Sequence, residues 1–399
     1  MNEPQDMTFR SSSVTASAKV FLDLLSHAQH GHMTLVSPGG SRTVFGDARD
    51  EPGAQLQIAD WRACSQVLAH GDIGFAEAYR QGWLDSPDLT AVLRFAMQNE
   101  EHMKQAVWGQ RWGQLFFVLL DRLRSNTRRG SRRNIHAHYD IGNEFYRLWL
   151  DEGWSYSSAW FEGRYDITLE QAQENKYRRV FEQLNLKPGQ RVLEIGCGWG
   201  GFAEYAAQRG VQVHGITLST EQLSLAQQRI KSDLVELELC DYRDVQGQYD
   251  AIVSIEMFEA VGEPYWHKYF KVVHDRLVPG GKALIQSITM EDSRFANYRR
   301  SSDFIRQFIF PGGMLPSVSR FVGIAAQQQL ALVQSLEFGK DYAETLRRWR
   351  QRFESVLPAV KALGFDDTFI KTWRLYLAYC EAGFDEQRTD VVQFLMQRS

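Results

Sequence analysis

Residues 191–201, RVLEIGCGWGG, predict how the second half of the chain folds. An apolar run with the length of a buried strand passes directly into a glycine-rich turn, and the segment GFAEYAAQRG (201–210) follows as a helix that ends at a glycine. Glycines in such a turn let the backbone approach a ligand where a side chain would clash. The spacing also matches GxGxxG, the dinucleotide fingerprint, so the surrounding residues must indicate which nucleotide is bound.

Strand-like and helix-like segments alternate after this turn. The strands are VQVHGITLS (211–219), VELELCDY (235–242), YDAIVSIEMF (249–258) and KALIQSIT (282–289). The helices are TEQLSLAQQRIKS (220–232) and PYWHKYFKVVHDRLVPGG (264–281), and a last strand-like VVQFLM (391–396) comes near the end. The alternation predicts an α/β fold of the Rossmann-like type, with a doubly wound parallel sheet.

The first 120 residues have a different pattern. A short helix at VFLDLLSHA (20–28) precedes the strand-like pieces HMTLVSP (32–38), SRTVFG (41–46) and AQLQIAD (54–60), and helical periodicity follows over 61–120. The turn SPGGS predicts that the first two strands pair as a hairpin. We therefore expect a smaller N-terminal α+β domain over 1–120, a basic linker over 121–134 and the α/β domain over 135–399.

Composition excludes several classes of protein. Of the 399 residues, 44% are hydrophobic and 24% charged, as in an ordinary globular chain, and the net charge of −4 argues against nucleic acid as a partner. The four cysteines form no CxxC pair, so no metal site is predicted. With no apolar signal core and no run of 18 apolar residues, the chain is expected in the cytoplasm.

The linker DRLRSNTRRGSRRN (121–134) carries six arginines and is either a solvated connection or a patch for anionic lipid headgroups. The apolar run WGQLFFVLL (112–120) could lie against the same surface, which would place the protein at the inner face of the membrane as a peripheral protein. RNA binding is the weaker alternative.

The residues around the glycine turn favour S-adenosylmethionine over NAD. Glu194 precedes the turn, and its carboxylate can face the α-ammonium group that S-adenosylmethionine has and NAD lacks. The second strand ends without the acidic residue that often binds ribose hydroxyls, so Thr217 and Gln222 could serve the ribose instead. At the end of the third strand, Asp241 could accept from the adenine amino group, and Tyr242 could pack on the ring.

Through a series of motifs the chain resembles the cyclopropane fatty acid synthase family, which includes the mycolic acid methyltransferases. The motifs are HYDIGNEFY (138–146), YSSAWF (156–161), LKPGQRVLEIGCGWGGFAEYAA (186–207), DYRDV (241–245), MFEAVG (257–262), FIFPGGMLPS (308–317) and FGKDYAETLRRW (338–349). The resemblance covers residues 134–399 and extends more faintly over the N-terminal domain. It implies a class I methyltransferase fold and S-adenosylmethionine as the methyl donor. The implied donor contacts are Tyr156, Ser157, Gly196, Gly198, Gly200, Gly201, Thr217, Leu218, Gln222 and Tyr242.

The resemblance also implies the reaction, which is methyl transfer to the cis double bond of an unsaturated acyl chain, usually of a phospholipid. Attack on the methyl group leaves a carbocation, which aromatic faces and a dry cavity would stabilise. A base then takes a proton to close a cyclopropane ring. Proton loss from a chain carbon would give a methyl-branched alkene, and water capture a hydroxylated branch. A catalytically silent lipid-binding homologue is the alternative from another class, and a homodimer is left open.

The family's base is a bound bicarbonate, and its cage matches this chain in part. Glu259, Tyr342 and the backbone of Ile288 match the cage. Ser158 stands where the family has Cys, and Gln286 stands where it has His. These two changes argue against a bound bicarbonate.

Glu256 stands where the bacterial synthases usually have Gly, and some mycolate-modifying relatives also carry Glu there. We interpret it as a carboxylate that replaces the free anion, with Ser158 and Gln286 as neutral hydrogen-bonding partners; the alternative is a helix cap or a partner of an arginine. Cys380 matches a cysteine once assigned as catalytic in the family, although the reaction needs no thiol, and a packed core cysteine is the favoured interpretation.

Overall fold

A computed structural model describes residues 14–47, 49, 53–108 and 141–399, with the side chains of 104–108 left out. The basic linker over 121–134 and the apolar run over 112–120 lie outside the described residues. The chain divides into two compact units, the first comprising Met1–Thr127, Ser302–Phe304 and Asp366–Ala382, and the second comprising Arg128–Ser301, Ile305–Phe365 and Gly383–Ser399. In the described ranges, no helix combines the length and the apolar character needed to cross a membrane.

The first unit is an α+β structure, as predicted. Its sheet has the order β2-β1-β3-β4, with β1 (His32–Val36), β2 (Arg42–Gly46), β3 (Ala54–Ile58) and β4 (Leu84–Asp85). The predicted hairpin is present, since β1 and β2 pair antiparallel, whereas β1 and β3 pair parallel. The helices are α1 (Ala16–Ser26), α2 (Arg62–Arg80) and α3 (Leu89–Trp108), together with α13 (Asp367–Asp385) as far as Ala382.

The second unit contains a seven-stranded sheet of order β10-β11-β9-β8-β5-β6-β7. Its strands are β5 (Arg191–Ile195), β6 (Gln212–Thr217), β7 (Val235–Leu239), β8 (Tyr249–Ile255), β9 (Leu277–Met290), β10 (Leu330–Glu337) and β11 (Thr389–Arg398). Along the part of the sheet with the order β9-β8-β5-β6-β7, each strand pairs parallel with the next. Strand β11 pairs antiparallel with both β9 and β10. The predicted Rossmann-like α/β fold is confirmed, but the sheet is mixed rather than wholly parallel.

The second unit also contains helices, several of which pack against the strands of this sheet. They are α4 (Asn143–Arg147), α5 (Leu169–Gln183), α6 (Gly201–Ala207), α7 (Thr220–Arg229), α8 (Trp266–Arg276), α9 (Asp292–Tyr298), α10 (Val318–Gln327), α11 (Gly339–Ser355) and α12 (Leu357–Ala362). A capping box fixes the start of α5, because the Thr168 hydroxyl accepts from the Gln171 amide while the Gln171 side chain accepts from the Thr168 amide. Helix α8 ends at Arg276 rather than at the predicted Pro-Gly-Gly, since LVPGG already belongs to β9.

Two apolar cores lie on the opposite faces of the sheet, which explains why the central strands read as continuous apolar runs. In β5, Leu193 belongs to one buried cluster and Val192 to the other. Residue-by-residue alternation of this kind is expected for a parallel sheet covered on both faces. Because β5 pairs parallel with both β6 and β8, the carboxyl ends of these three strands meet at one edge of the sheet. Ligands bind at this edge in open α/β folds.

Candidate active site

The glycine turn joins β5 to α6 and leaves open space in front of its backbone. Gly198 has a φ of +54°, and a Cβ built there would have no protein atom within 4 Å. Gly201 is constrained differently, because a Cβ would lie 2.4 Å from the Tyr177 hydroxyl oxygen. The predicted Gly196 and Gly200 lie in the same turn. The turn can therefore bring main-chain atoms against a ligand at Gly198.

Glu194 is buried at the end of β5 and is only partly hydrogen-bonded. The backbone of Ala203 hydrogen-bonds to its carboxylate, while Oε2 has no hydrogen-bond partner among the described residues. Burial raises the pKa of Glu194 to about 8, although nearby Lys176 works in the opposite direction. An oxygen left unsatisfied at this depth is suited to receive a cationic group that enters with a ligand.

Lys176 is a buried cation that the sequence analysis did not identify. Its Nζ donates to the Ser157 hydroxyl at 2.6 Å, and burial lowers its pKa to about 8 against the attraction of Glu256, Asp151 and Glu194. The helical spacing contained a signal, because Lys176 lies on the same face of α5 as the buried residues Ala172 and Val180.

The residues expected around ribose and adenine lie at or just after the ends of β6 and β7. Thr217 donates to the Gln222 side-chain oxygen at 3.1 Å, and Leu218 beside it is 72% exposed. Asp241 is engaged by a neighbour that the sequence analysis did not consider, because both of its oxygens accept from the Arg243 guanidinium. Tyr242 packs edge-on against another ring, Tyr269, with centroids 5.4 Å apart.

Glu256 follows β8 and is held by three donors. Its Oε1 accepts from the Ser158 amide at 2.8 Å and from Nε2 of Gln286 at 2.7 Å, and its Oε2 accepts from the Tyr342 hydroxyl at 2.6 Å. The backbone has a φ of +52°, a conformation that favours glycine and costs other residues about 1 kcal/mol or more. Burial raises the pKa of Glu256, and the three hydrogen bonds oppose that rise.

Glu259 lies one turn further on and is less completely bonded. Its Oε1 accepts from the Ile288 amide at 2.5 Å and from the Ser287 hydroxyl at 3.2 Å, whereas no described residue hydrogen-bonds to its buried Oε2. Burial, together with the charge of Glu256, raises the pKa of Glu259 to about 8. At neutral pH, the raised pKa of about 8 favours the protonated form of Glu259, whereas the three donors around Glu256 favour its charged form.

The segment 156–161, YSSAWF, is fixed by buried groups through its backbone. The Ala159 amide donates to the Thr345 hydroxyl at 3.1 Å, and the Phe161 amide donates to Asp341 at 2.7 Å. Ser158 contacts Glu256 through its amide, because its hydroxyl donates to the Ala159 carbonyl instead. The position expected to act through its side chain thus acts through its main chain.

A series of aromatic rings begins in the glycine turn. Trp199 contacts Tyr146 with centroids 5.2 Å apart, and Tyr146 contacts Tyr156 at 5.2 Å. Tyr156 contacts Trp349 at 5.5 Å, and Trp349 contacts Tyr342 at 6.2 Å. The series therefore ends at the ring whose hydroxyl binds the buried carboxylate described above, and it supplies the electron-rich faces that a cation requires.

Cys380 belongs to the first compact unit, whereas Glu256 and its partners belong to the second. Burial, with the charge of Asp303, raises the pKa of the Cys380 thiol. This environment opposes formation of a nucleophilic thiolate. No described group of three or more His, Cys, Asp or Glu side chains is arranged to hold a metal ion.

Comparisons with known proteins identify a family and solved structures that this chain resembles. The mycolic acid cyclopropane synthetase family matches residues 126–394. Tuberculostearic acid methyltransferase UfaA1 of Mycobacterium tuberculosis is 38% identical over 98% of this chain and 93% of its own length. Cyclopropane-fatty-acyl-phospholipid synthase of Escherichia coli is 34% identical over 86% of this chain and 88% of its own length. The solved structure of mycolic acid cyclopropane synthase CmaA1 complexed with SAH and CTAB has a TM-score of 0.62 and 30% identity, covering 67% of this chain and 98% of that chain.

Proposed function

We propose, since the chain belongs to the mycolic acid cyclopropane synthetase family, that it transfers a methyl group from S-adenosylmethionine to the cis double bond of an unsaturated fatty acyl chain of a phospholipid. Membership makes the chain an S-adenosylmethionine-dependent methyltransferase, as the sequence predicted. The proposed product is a cyclopropane fatty acid. A methyl-branched product is the second candidate, favoured by the similarity to tuberculostearic acid methyltransferase over nearly the whole chain.

The residues at the end of β5 fit the methyl donor. The space in front of Gly198 admits a ligand to the backbone, and the unsatisfied Oε2 of Glu194 can accept a hydrogen bond from an ammonium group. We infer that Tyr156, Ser157, Thr217 and Gln222 complete this site. S-adenosylmethionine supplies an electrophilic methyl group there, so the protein needs no nucleophile of its own.

The aromatic series suits the cationic part of the reaction. The alkene electron pair forms a bond to the methyl carbon while the carbon–sulfur electron pair stays on sulfur, which leaves the positive charge on the acyl chain. We infer that the partly exposed ring of Tyr156, which packs against Trp349, faces this charge, since aromatic faces attract cations and exclude water. Exclusion of water disfavours a hydroxylated product.

The arrangement of Glu256 carries the proposal. Two donors satisfy Oε1, but Oε2 accepts only from Tyr342 among the described residues, so one of its lone pairs is available. We infer that this lone pair takes the proton, and the released carbon–hydrogen electron pair then closes the ring or forms a new double bond. A carboxylate fixed in this way would replace the bicarbonate of the family, with Glu259 and the Ile288 amide beside it.

Expression in a bacterial host rich in monounsaturated phospholipids tests the proposal, with mass spectrometry of the fatty acids as the readout. We expect a gain of one CH2 group that is absent with an empty vector. Mild hydrogenation separates the products, because a branched alkene takes up hydrogen and a cyclopropane does not. A protein that binds S-adenosylmethionine but changes no acyl mass would instead be a silent lipid-binding homologue.

We further propose that the protein reaches its substrate as a peripheral protein on an anionic membrane surface. The arginines of 121–134 support this proposal through their charge, each contributing about 1 kcal/mol near an anionic surface. The name of the Escherichia coli relative refers to a phospholipid acyl chain, which is a membrane component, and an enzyme with such a substrate has to reach the membrane surface.

A further inference from the structure

Two buried amide side chains connect Glu256 to the outer strands of the sheet. Gln286 of β9 and Gln393 of β11 are direct cross-strand partners and are 0% and 1% exposed. Gln286 Nε2 donates to Glu256, and its Oε1 accepts from Gln393 Nε2 at 3.0 Å. Gln286 thus uses one end of its amide for Glu256 and the other for Gln393.

Arg179 determines how the amides of Gln393 and Gln286 are oriented. Its Nε donates to Gln393 Oε1 at 3.0 Å, and a guanidinium group can only donate. The carbonyl of Gln393 must therefore face Arg179, which leaves its NH2 group for the carbonyl of Gln286. The NH2 group of Gln286 is then left for Glu256. A single donor-only side chain thus orients two amides that could otherwise turn over.

We propose that Arg179 and Gln393 are positioning residues that keep the NH2 group of Gln286 directed at Glu256, so that the carboxylate stays charged and ready to accept a proton. The proposal rests on the proposed role of Glu256 as the base. Without this direction, the Gln286 amide can turn over and place its carbonyl oxygen against the carboxylate. Glu256 would then lose one of its three donors and hold its proton more tightly.

The test reverses the direction with a nearly isosteric change. In Gln393→Glu, the new carboxylate still accepts from Arg179 but offers no donor to Gln286, which then turns its NH2 group away from Glu256. The acid limb of the kcat–pH profile should move up by about one to two pH units, the worth of one hydrogen bond to a charged group. Substrate vesicles of a monounsaturated phospholipid and S-adenosylmethionine supply the assay. Gln397→Glu is the matched control, since Gln397 lies on the same strand and bonds to the Gly280 carbonyl instead.

Variants of Arg179 separate orientation from packing. Arg179→Lys keeps a donor-only side chain and should keep the acid limb in place, whereas Arg179→Met should move it in the same direction as Gln393→Glu. Donor affinity, measured by calorimetry, should stay the same in all variants. An acid limb that shifts equally in Arg179→Lys and Arg179→Met would show that bulk, not direction, matters, and would overturn the proposal.

A second measurement keeps this inference apart from the proposed function. The infrared carboxyl band that Glu256→Gln removes reports the titration of Glu256 directly. If the pKa of Glu256 shifts in Gln393→Glu while the activity profile does not, Arg179 and Gln393 are positioning residues but Glu256 is not the base. An unshifted pKa of Glu256 in Gln393→Glu would overturn the positioning role of Arg179 and Gln393.

Discussion

Replacing Glu256 by Gln should remove the base while preserving the site around it. The amide oxygen can keep the hydrogen bonds from the Ser158 amide and from Gln286, and the new NH2 group can donate to the Tyr342 oxygen, which now lies 2.6 Å from Oε2. A tyrosine hydroxyl can accept as well as donate, so the two side chains stay hydrogen-bonded, although the Tyr342 O–H no longer donates to residue 256. The change therefore removes the charge and the basic lone pair and reverses the direction of this one hydrogen bond.

The expected loss follows from the role of a general base. Positioned proton transfer contributes about 10²- to 10⁴-fold to a rate, so kcat should fall by that factor, about 3 to 5 kcal/mol in activation free energy. Affinity for S-adenosylmethionine should not change. The variant should also be more stable at pH 8 than the wild type, because the raised pKa of Glu256 means that its ionisation opposes folding above the ordinary carboxyl range.

The assay follows CH2 incorporation into monounsaturated phospholipid vesicles, in buffers freed of carbon dioxide and then with bicarbonate restored. The wild type should work equally well in both buffers, and calorimetry of S-adenosylmethionine binding controls for folding. Strong stimulation of the wild type by bicarbonate, together with an active Glu256→Gln variant, would refute the reasoning and indicate that a free anion is the base.

Three further predictions concern the donor site, stability and the membrane. Gly198→Val should abolish S-adenosylmethionine binding in calorimetry while the circular dichroism stays native, because the side chain fills the open space before the turn; unchanged affinity would place the donor elsewhere. In the wild type, the carboxyl of Glu259 is ionised in the unfolded chain above about pH 4.5 but stays protonated in the folded protein up to about pH 8, so stability falls across that window. The advantage of Glu259→Gln in the free energy of unfolding should therefore grow from pH 4.5 to 8, to on the order of 5 kcal/mol, and a pH-independent difference would contradict this. Binding to anionic vesicles should fall steeply as the salt concentration rises. It should also weaken, without loss of donor binding, when serine replaces four linker arginines, and an equal vesicle affinity would show that these arginines only connect the two domains. These are Arg128, Arg129, Arg132 and Arg133.

The sequence predicted the central strands of the fold well and its sheet edge poorly. Strands β5, β6, β8 and β9 contribute buried residues to both apolar cores, so they read as apolar runs with glycine or polar ends. Strand β10 was missed because LALVQSLE lies at the edge, exposed along most of its length, and shows no burial pattern. Its pairing with β11 depends on contacts that local sequence does not encode.

The site was predictable where a motif carried it and not where packing did. Motifs singled out Glu256, Gln286 and Tyr342, which are in contact in the structure. Two contributions depend on tertiary contacts that motifs do not specify, namely the Ser158 amide and the Arg243 pair of Asp241. Gln393 offered a usable signal, since a glutamine within the apolar run VVQFLM predicts a buried amide that requires partners.

The left-handed backbone at Glu256 also bears on how such a site can change during evolution. A glycine fits that conformation without strain, so the loop does not need to move when glycine and glutamate replace one another. The codons GGA and GGG differ from GAA and GAG by one nucleotide, so one point mutation adds or removes the carboxylate on an unchanged scaffold. In Glu256→Gly, the vacated volume lies beside the same three donors, and added bicarbonate is expected to restore part of the activity. An enzyme that carries its own base and one that takes it from dissolved carbon dioxide would then be immediate neighbours in sequence space.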